Sequence, residues 1–279
     1  MMTLTTLLND KIKSGEVVPF IGMGVFKDTK TEDGTQIPFD SDSMILSLNS
    51  GRAMSPRLMY EYSRAAMSLE HRKGRPFIEQ MTFHIFNSKP YEMPLVYKWL
   101  STLMPRYVID LNMDDSLLKV YEKAEHFLIT GVSRIMADFD RFLVYKYDVK
   151  NKIYHRIDKS ALSDTMPILF KPLGCVIPEK NFIVSDADFV DWLTEAMGGY
   201  SIPPFIKHYK EGKSYLFMGV DFDRDTFRMV ANEITMGLTS GYLVNDKEKI
   251  TKKEEKFLTS HNIEKIQNNV NEFLKSAQS

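Results

Sequence analysis

The stretch Tyr107-Val-Ile-Asp-Leu-Asn-Met-Asp-Asp-Ser-Leu-Leu-Lys-Val-Tyr121 decides how the chain is read. Its first part is a buried apolar run, and its second repeats apolar residues at helical spacing, so a strand feeds directly into a helix. The polar junction from Asn112 to Asp115 falls at the carboxyl end of that strand, where open α/β sheets place their ligand crevices. Asp114, Asp115 and Ser116 also suit a helix start, because their side-chain oxygens accept hydrogen bonds from free first-turn amides. Local chemistry alone favours this capping role.

Upstream, Leu4, Leu7, Leu8 and Ile12 form one apolar stripe on a short helix, and Val17-Val-Pro-Phe-Ile21 reads as a buried strand. Pro19 is the complication there, since it cannot donate to a ladder. Gly22-Met-Gly24 closes the strand. A Gly-x-Gly turn lets backbone amides approach a phosphate, but this one lacks the third glycine of a dinucleotide fingerprint. Residues 27–38 read as a polar loop. Residues 41–103 carry interrupted helical patterns, taken as a helical insertion forming a small subdomain, with His71-Arg-Lys-Gly-Arg75 as a solvated turn.

Downstream, strands are expected at 126–130, 142–147, 152–156, 167–170, 214–219, 241–244 and 263–266. The second and third form a hairpin by alternation and turn chemistry. Helices are expected at 186–197, from Asp221-Phe-Asp-Arg-Asp225 to about Met236, after Thr251, and at the end through Leu274. Strands alternating with helices imply a Rossmann-like α/β fold, a mainly parallel sheet with helices on both faces. With no repeat or linker, residues 1–279 read as a single domain carrying the insertion.

The chain is 43% apolar and 26% charged, the make-up of an ordinary globular protein. Its 36 basic and 37 acidic residues leave a net charge of −1, so no overall field favours nucleic acid or an anionic membrane. Cys175 is the single cysteine, which excludes an intramolecular disulfide and a cysteine-rich zinc site, and no metal is expected. No apolar run is long enough to span a bilayer, and the first residues are too short an apolar stretch for a signal peptide, so a cytoplasmic location is expected.

Four edge motifs stand in order: Phe20-Ile-Gly-Met-Gly24, Ile109-Asp-Leu-Asn-Met-Asp-Asp115, Phe170-Lys-Pro-Leu-Gly-Cys175 and Phe217-Met-Gly-Val-Asp-Phe-Asp223. Their order and spacing resemble the bacterial sirtuin-like domain family, whose members often read Phe-Ile-Gly-Ala-Gly, Thr-Thr-Asn-Tyr-Asp-Asp, Lys-Leu-His-Gly-Ser and Phe-Ile-Gly-Tyr-Ser. The resemblance implies NAD held between a Rossmann-like sheet and a helical insertion, and cleavage of its nicotinamide–ribose bond, commonly in antiphage defence. It sets Gly22, Met23, Gly24, Asn112, Gly174, Gly219 and Asp221 against the cofactor, and gives Asn112, with Asp114, the task of organising water.

Five positions depart from the pattern, two of them Pro172, just before the histidine position, and Cys175, where serine is common. The family's general-base histidine is Leu173 here, and leucine neither accepts a proton nor hydrogen-bonds a ribose. Asp221 replaces a serine and brings negative charge toward an anionic ligand; Met23 replaces a small alanine. The expectation is a degenerate sirtuin-like domain that keeps the fold without efficient NAD hydrolysis and serves as a structural or interaction subunit of a bacterial assembly, with a protein partner or a homo-oligomer. If its pocket has been filled, the former lining should be apolar and closed. The alternatives are an NAD glycohydrolase active alone or when triggered by a partner, and a sensor that binds NAD or ADP-ribose without turnover.

Overall fold

The structure is a computed structural model that describes residues 4–134 and 140–276. Its strands are β1 (Val17–Ile21), β2 (Tyr107–Asp110), β3 (Phe127–Gly131), β4 (Phe142–Asp148), β5 (Ile153–Arg156), β6 (Ile168–Lys171), β7 (Gly174–Cys175), β8 (Asn181–Phe182), β9 (Ser214–Met218), β10 (Gly241–Asn245) and β11 (Ile263–Gln267). Nine of them form one sheet in the order β11-β10-β9-β1-β2-β6-β3-β4-β5, and β7 pairs with β8 apart from it. Pairing is parallel from β11 through β3. The β4–β5 hairpin adds two antiparallel strands at one end. The fold is therefore a mainly parallel, Rossmann-like α/β sheet.

Strands β1, β2, β3 and β6 are buried along their whole length, which is why they read as continuous apolar runs rather than alternating ones. Pro19 lies inside the central strand β1 because of register. Gly22 donates to the Met218 carbonyl of β9 and Leu111 donates to the Ile21 carbonyl, so odd-numbered residues of β1 face β2. The β1–β2 ladder starts only at Phe20 opposite Ile109. The missing amide of Pro19 thus faces a stretch where no ladder bond is required.

Between β1 and β2 run the helices Ser41–Leu48, Tyr62–Lys73, Arg75–Asn87 and Leu95–Leu103. A buried ionic cluster ties the middle two to the helix Asp186–Met197. Asp188 is fully buried and accepts from Arg75 Nη1 at 2.6 Å and from Arg134 Nε at 2.8 Å. Arg134 also pairs with Glu70, and the Val184 and Ser185 amides donate to Asp188 at 3.0 and 2.9 Å. The stretch from His71 to Arg75 is therefore not simply a solvated turn: Arg75 points inward, drawn by a carboxylate 113 residues away in sequence.

Burial alone would raise the Asp188 carboxyl, but the Arg75 charge and the two amides outweigh it and hold its pKa below the ordinary value. A depressed carboxylate stabilises the fold above its unfolded-state pKa, and that contribution is lost as pH falls through the folded-state value. Stability should accordingly drop below about pH 4, and Asp188→Ala should flatten that part of the urea-denaturation pH profile. At neutral pH the same substitution should cost about 2–4 kcal/mol, somewhat less than a fully buried pair because both arginines are partly exposed.

Candidate active site at the strand carboxyl edge

Chain direction across the sheet reverses between β1 and β9, the switch point at which such sheets form a crevice. A cleft of about 400 Å³ lies there, within the roughly 300–1,000 Å³ usual for small-ligand sites. Its walls are the loops that leave β1 (Gly22 to Val25), β9 (Gly219 to Arg224), β10 (Asn245 to Lys247) and β11 (Asn268 to Asn271), with the first turn of helix Ser41–Leu48 opposite and Leu111 and Leu173 also in the lining. The loops after β1 and β9 meet through glycine. A Cβ on Gly22 would stand 2.5 Å from the Gly219 carbonyl oxygen, and one on Gly219 would stand 2.5 Å from the Val25 amide. Gly24 donates to the Gly219 carbonyl at 2.8 Å, so this glycine amide serves the loop contact.

Beneath the cleft lies a buried polar chain. Lys171 and Asp110 are both wholly buried and paired at 2.7 Å. The Tyr97 hydroxyl donates toward both Asp110 oxygens at 3.2 Å, and the Asn112 amide nitrogen donates to Oδ1 at 3.0 Å. Asn112 Nδ2 then donates to the Tyr97 oxygen at 3.0 Å and to the Gly22 carbonyl at 3.2 Å. Burial pulls the Lys171 ammonium down, but the adjacent Asp110 carboxylate outweighs it and holds the lysine above its ordinary value. Burial likewise pushes the Asp110 carboxyl up, with Lys171 opposing.

Asn112 thus serves as a bracket between strand ends and does not line the cleft. Asp114 is fully buried and accepts from the Tyr91 hydroxyl and the Ser116 amide, both at 2.9 Å, so its capping role is realised; its Oδ1 has no hydrogen-bond partner. Gly174 is also outside the lining: it sits in β7 at φ +90°, where a Cβ would strike the Asn181 carbonyl of β8 at 1.8 Å. Gly22, Met23, Gly24, Gly219 and Asp221 do line the cleft. The family model for the SIR2-like domain matches residues 106–266. The chain belongs to the SIR2-like domain family. No curated protein matches it.

In this SIR2-like domain the cleft is open rather than closed, and apolar residues such as Met23, Phe39, Leu111 and Leu173 share its lining with charged ones, so a filled pocket is not what the fold presents. Three cations line it, and each already has an acidic partner: Lys27 with Asp246 at 2.9 Å, Arg224 with Asp223 at 3.2 Å, and Lys247 with Asp221. Helix Asp225–Thr235 begins four residues later than the expected opening at Asp221, so Asp221 and Asp223 stand in the loop over the cleft. Burial, with Asp221 beside it, raises the Asp223 carboxyl. The N-terminus of helix Ser41–Leu48 faces the cleft too, but the Asp40 carboxylate already accepts from the Ser43 amide at 2.8 Å. That carboxylate takes the position an incoming anion would use.

None of the six histidines lines the cleft. His126 is buried beside Tyr147 and Tyr154, where burial pulls its pKa down to about 4. His261 packs on Phe257 and bonds Asn232 at 3.0 Å. Cys175 is buried with Sγ donating to the Asp114 carbonyl at 3.2 Å, and burial pushes its thiol up to about 12. Among the described residues no group of histidine, cysteine, aspartate and glutamate could hold a metal ion. No helix among them is long and apolar enough to cross a membrane.

Sequence reasoning missed Lys171, Asp110 and Tyr97 as a unit. The available signal was a lysine and an aspartate each ending an otherwise apolar strand. Lys171→Met should cost about 3–5 kcal/mol in urea denaturation, because it strands a buried carboxylate. Adding Asp110→Asn should recover most of that loss, since the amide keeps an acceptor for Tyr97 without the charge.

Proposed function

We propose that this SIR2-like domain has given up NAD hydrolysis and acts as a structural or interaction subunit of a larger assembly. The observation that supports this reading is the lining of the cleft: Leu173, where the resemblance places the family's histidine, is 1% exposed, and no histidine reaches the cleft from elsewhere. Removing an acid/base group typically costs about 10²–10⁴-fold in rate. Asn112 holds strand ends and Asp114 a helix start, and each of the three cleft cations is paired with an aspartate, so the charges a pyrophosphate would seek are already matched.

The interaction role draws support from the surface. Helices Asp186–Met197 and Asp225–Thr235 leave Val190, Met197 and Met229 exposed, with Tyr200 and Met236 just beyond their ends. Val190 and Met197 are seven residues apart on one helical face, as are Met229 and Met236 across the end of the other, and flexible methionines suit adaptable protein contacts.

A direct test is calorimetric titration with NAD while nicotinamide release is followed on the same sample, for the natural chain and for Leu173→His. The natural chain should release no nicotinamide; release above the solvent background would overturn the proposal. The open cleft favours one second reading, a sensor that binds NAD or ADP-ribose without turnover. Saturable binding without product would select it. Release gained by Leu173→His would locate the loss of chemistry at that one position.

A further inference from the structure

Strand β5 ends the sheet, so one side of its backbone has no neighbouring strand among the described residues. Which of its groups face outward follows from the ladder. The Ile157 amide donates inward to the Val144 carbonyl at 2.9 Å, whereas Tyr147 of β4 donates away from β5, to the His126 carbonyl at 2.9 Å. Antiparallel pairs alternate between hydrogen-bonded and non-hydrogen-bonded positions. With Tyr154 opposite Tyr147 and Arg156 opposite Tyr145, the amides and carbonyls of Tyr154 and Arg156 therefore point out of the sheet. Such groups form a template for another strand.

We propose that the occupant is a second copy of this chain, its β5 pairing antiparallel with β5 of the first about a twofold axis through His155. In this register each Tyr154 faces Arg156 of the other copy as a hydrogen-bonded pair, so the outward groups of both residues are satisfied on both copies. Side chains agree with it. Lys152 lies opposite Asp158, and Ile153, which is 46% exposed, lies opposite Ile157. His155 and Ile157 line a shallow groove with Lys146 and Asp148 on the same face of the sheet, and Ile153 of the other copy would cover it.

An axis through Tyr154 would satisfy the same backbone groups, but it sets Lys152 against Arg156, and like charges placed opposite each other destabilise a pair. Cations on an edge strand ordinarily discourage pairing. Here Asp158 gives each Lys152 an opposite charge in one register only, so the same residues select that register. Lys152 has φ +55° and sits in the turn before the strand, so its contribution comes through its side chain. The short strand implies a weak, concentration-dependent dimer.

This inference builds on the assembly role proposed above, yet the two fail separately: nicotinamide release reports on the cleft, and mass reports on this edge. Sedimentation equilibrium of the full chain should show the average mass rising from the 32.3 kDa monomer toward twice that value as concentration increases. Arg156→Pro removes an outward amide without touching the β4 ladder and should hold the chain at monomer mass with an unchanged circular-dichroism spectrum. Lys152→Asp should weaken association roughly tenfold, and adding Asp158→Lys should restore it. A natural chain that stays monomeric throughout overturns the proposal, as does a dimer indifferent to the charge exchange; if Arg156→Pro fails to fold, the exchange pair decides alone.

Discussion

The buried pairing of Lys171 with Asp110 is the constraint on which the centre of this protein depends. Two charges removed from water are tolerated only if their attraction is reinforced by nearly complete hydrogen bonding. Asp110 obtains that from Lys171, Tyr97 and the Asn112 amide. The partners come from β6, from helix Leu95–Leu103 and from the loop after β2, so one carboxylate fixes three elements relative to each other. Asn112 extends the arrangement to the Gly22 carbonyl and hence to β1. The ends of the central strands are held by polar chemistry where apolar packing gives way to the cleft.

That arrangement also shows that the architecture of this SIR2-like domain rests on side chains and glycines with structural duties of their own. The glycines after β1 and β9 are required by the close crossing of their loops, independently of any ligand, because a Cβ at either would collide with backbone. Asn112 is required by the strand ends. Residues that resemble a catalytic signature therefore have structural duties that persist whether or not the chemistry does. Leu173 stands where the resemblance places the family's acid/base histidine, and a leucine side chain cannot carry a proton. Fold and chemistry are separable because they rest on different side chains.

Much of the architecture was legible from local pattern. The apolar runs at β1, β2 and β6 announced strands buried on both faces, and the helix over 186–197 followed from Phe189, Trp192 and Leu193 on one face. The misreadings share one cause. Arg75 looked solvated because its carboxylate lies 113 residues away, and Asp221 looked like part of a helix start because its partner Lys247 belongs to a different loop. Pro19 looked misplaced in a central strand because nothing local says where its neighbouring ladder begins.

By itself the sequence determined the alternation of strands and helices, the family resemblance through four ordered edge motifs, and the presence of Leu173 within the third of them. These depend on periodicity and residue identity, both of which are local. Only the tertiary structure decided that the cleft stays open, that its cations are matched with aspartates, that Asn112 and Asp114 turn away from it, and that β5 presents unpaired backbone at the end of the sheet. Those outcomes depend on distances between residues far apart in the chain, and hydrogen bonds and charges act only over such distances once the fold has brought the partners together.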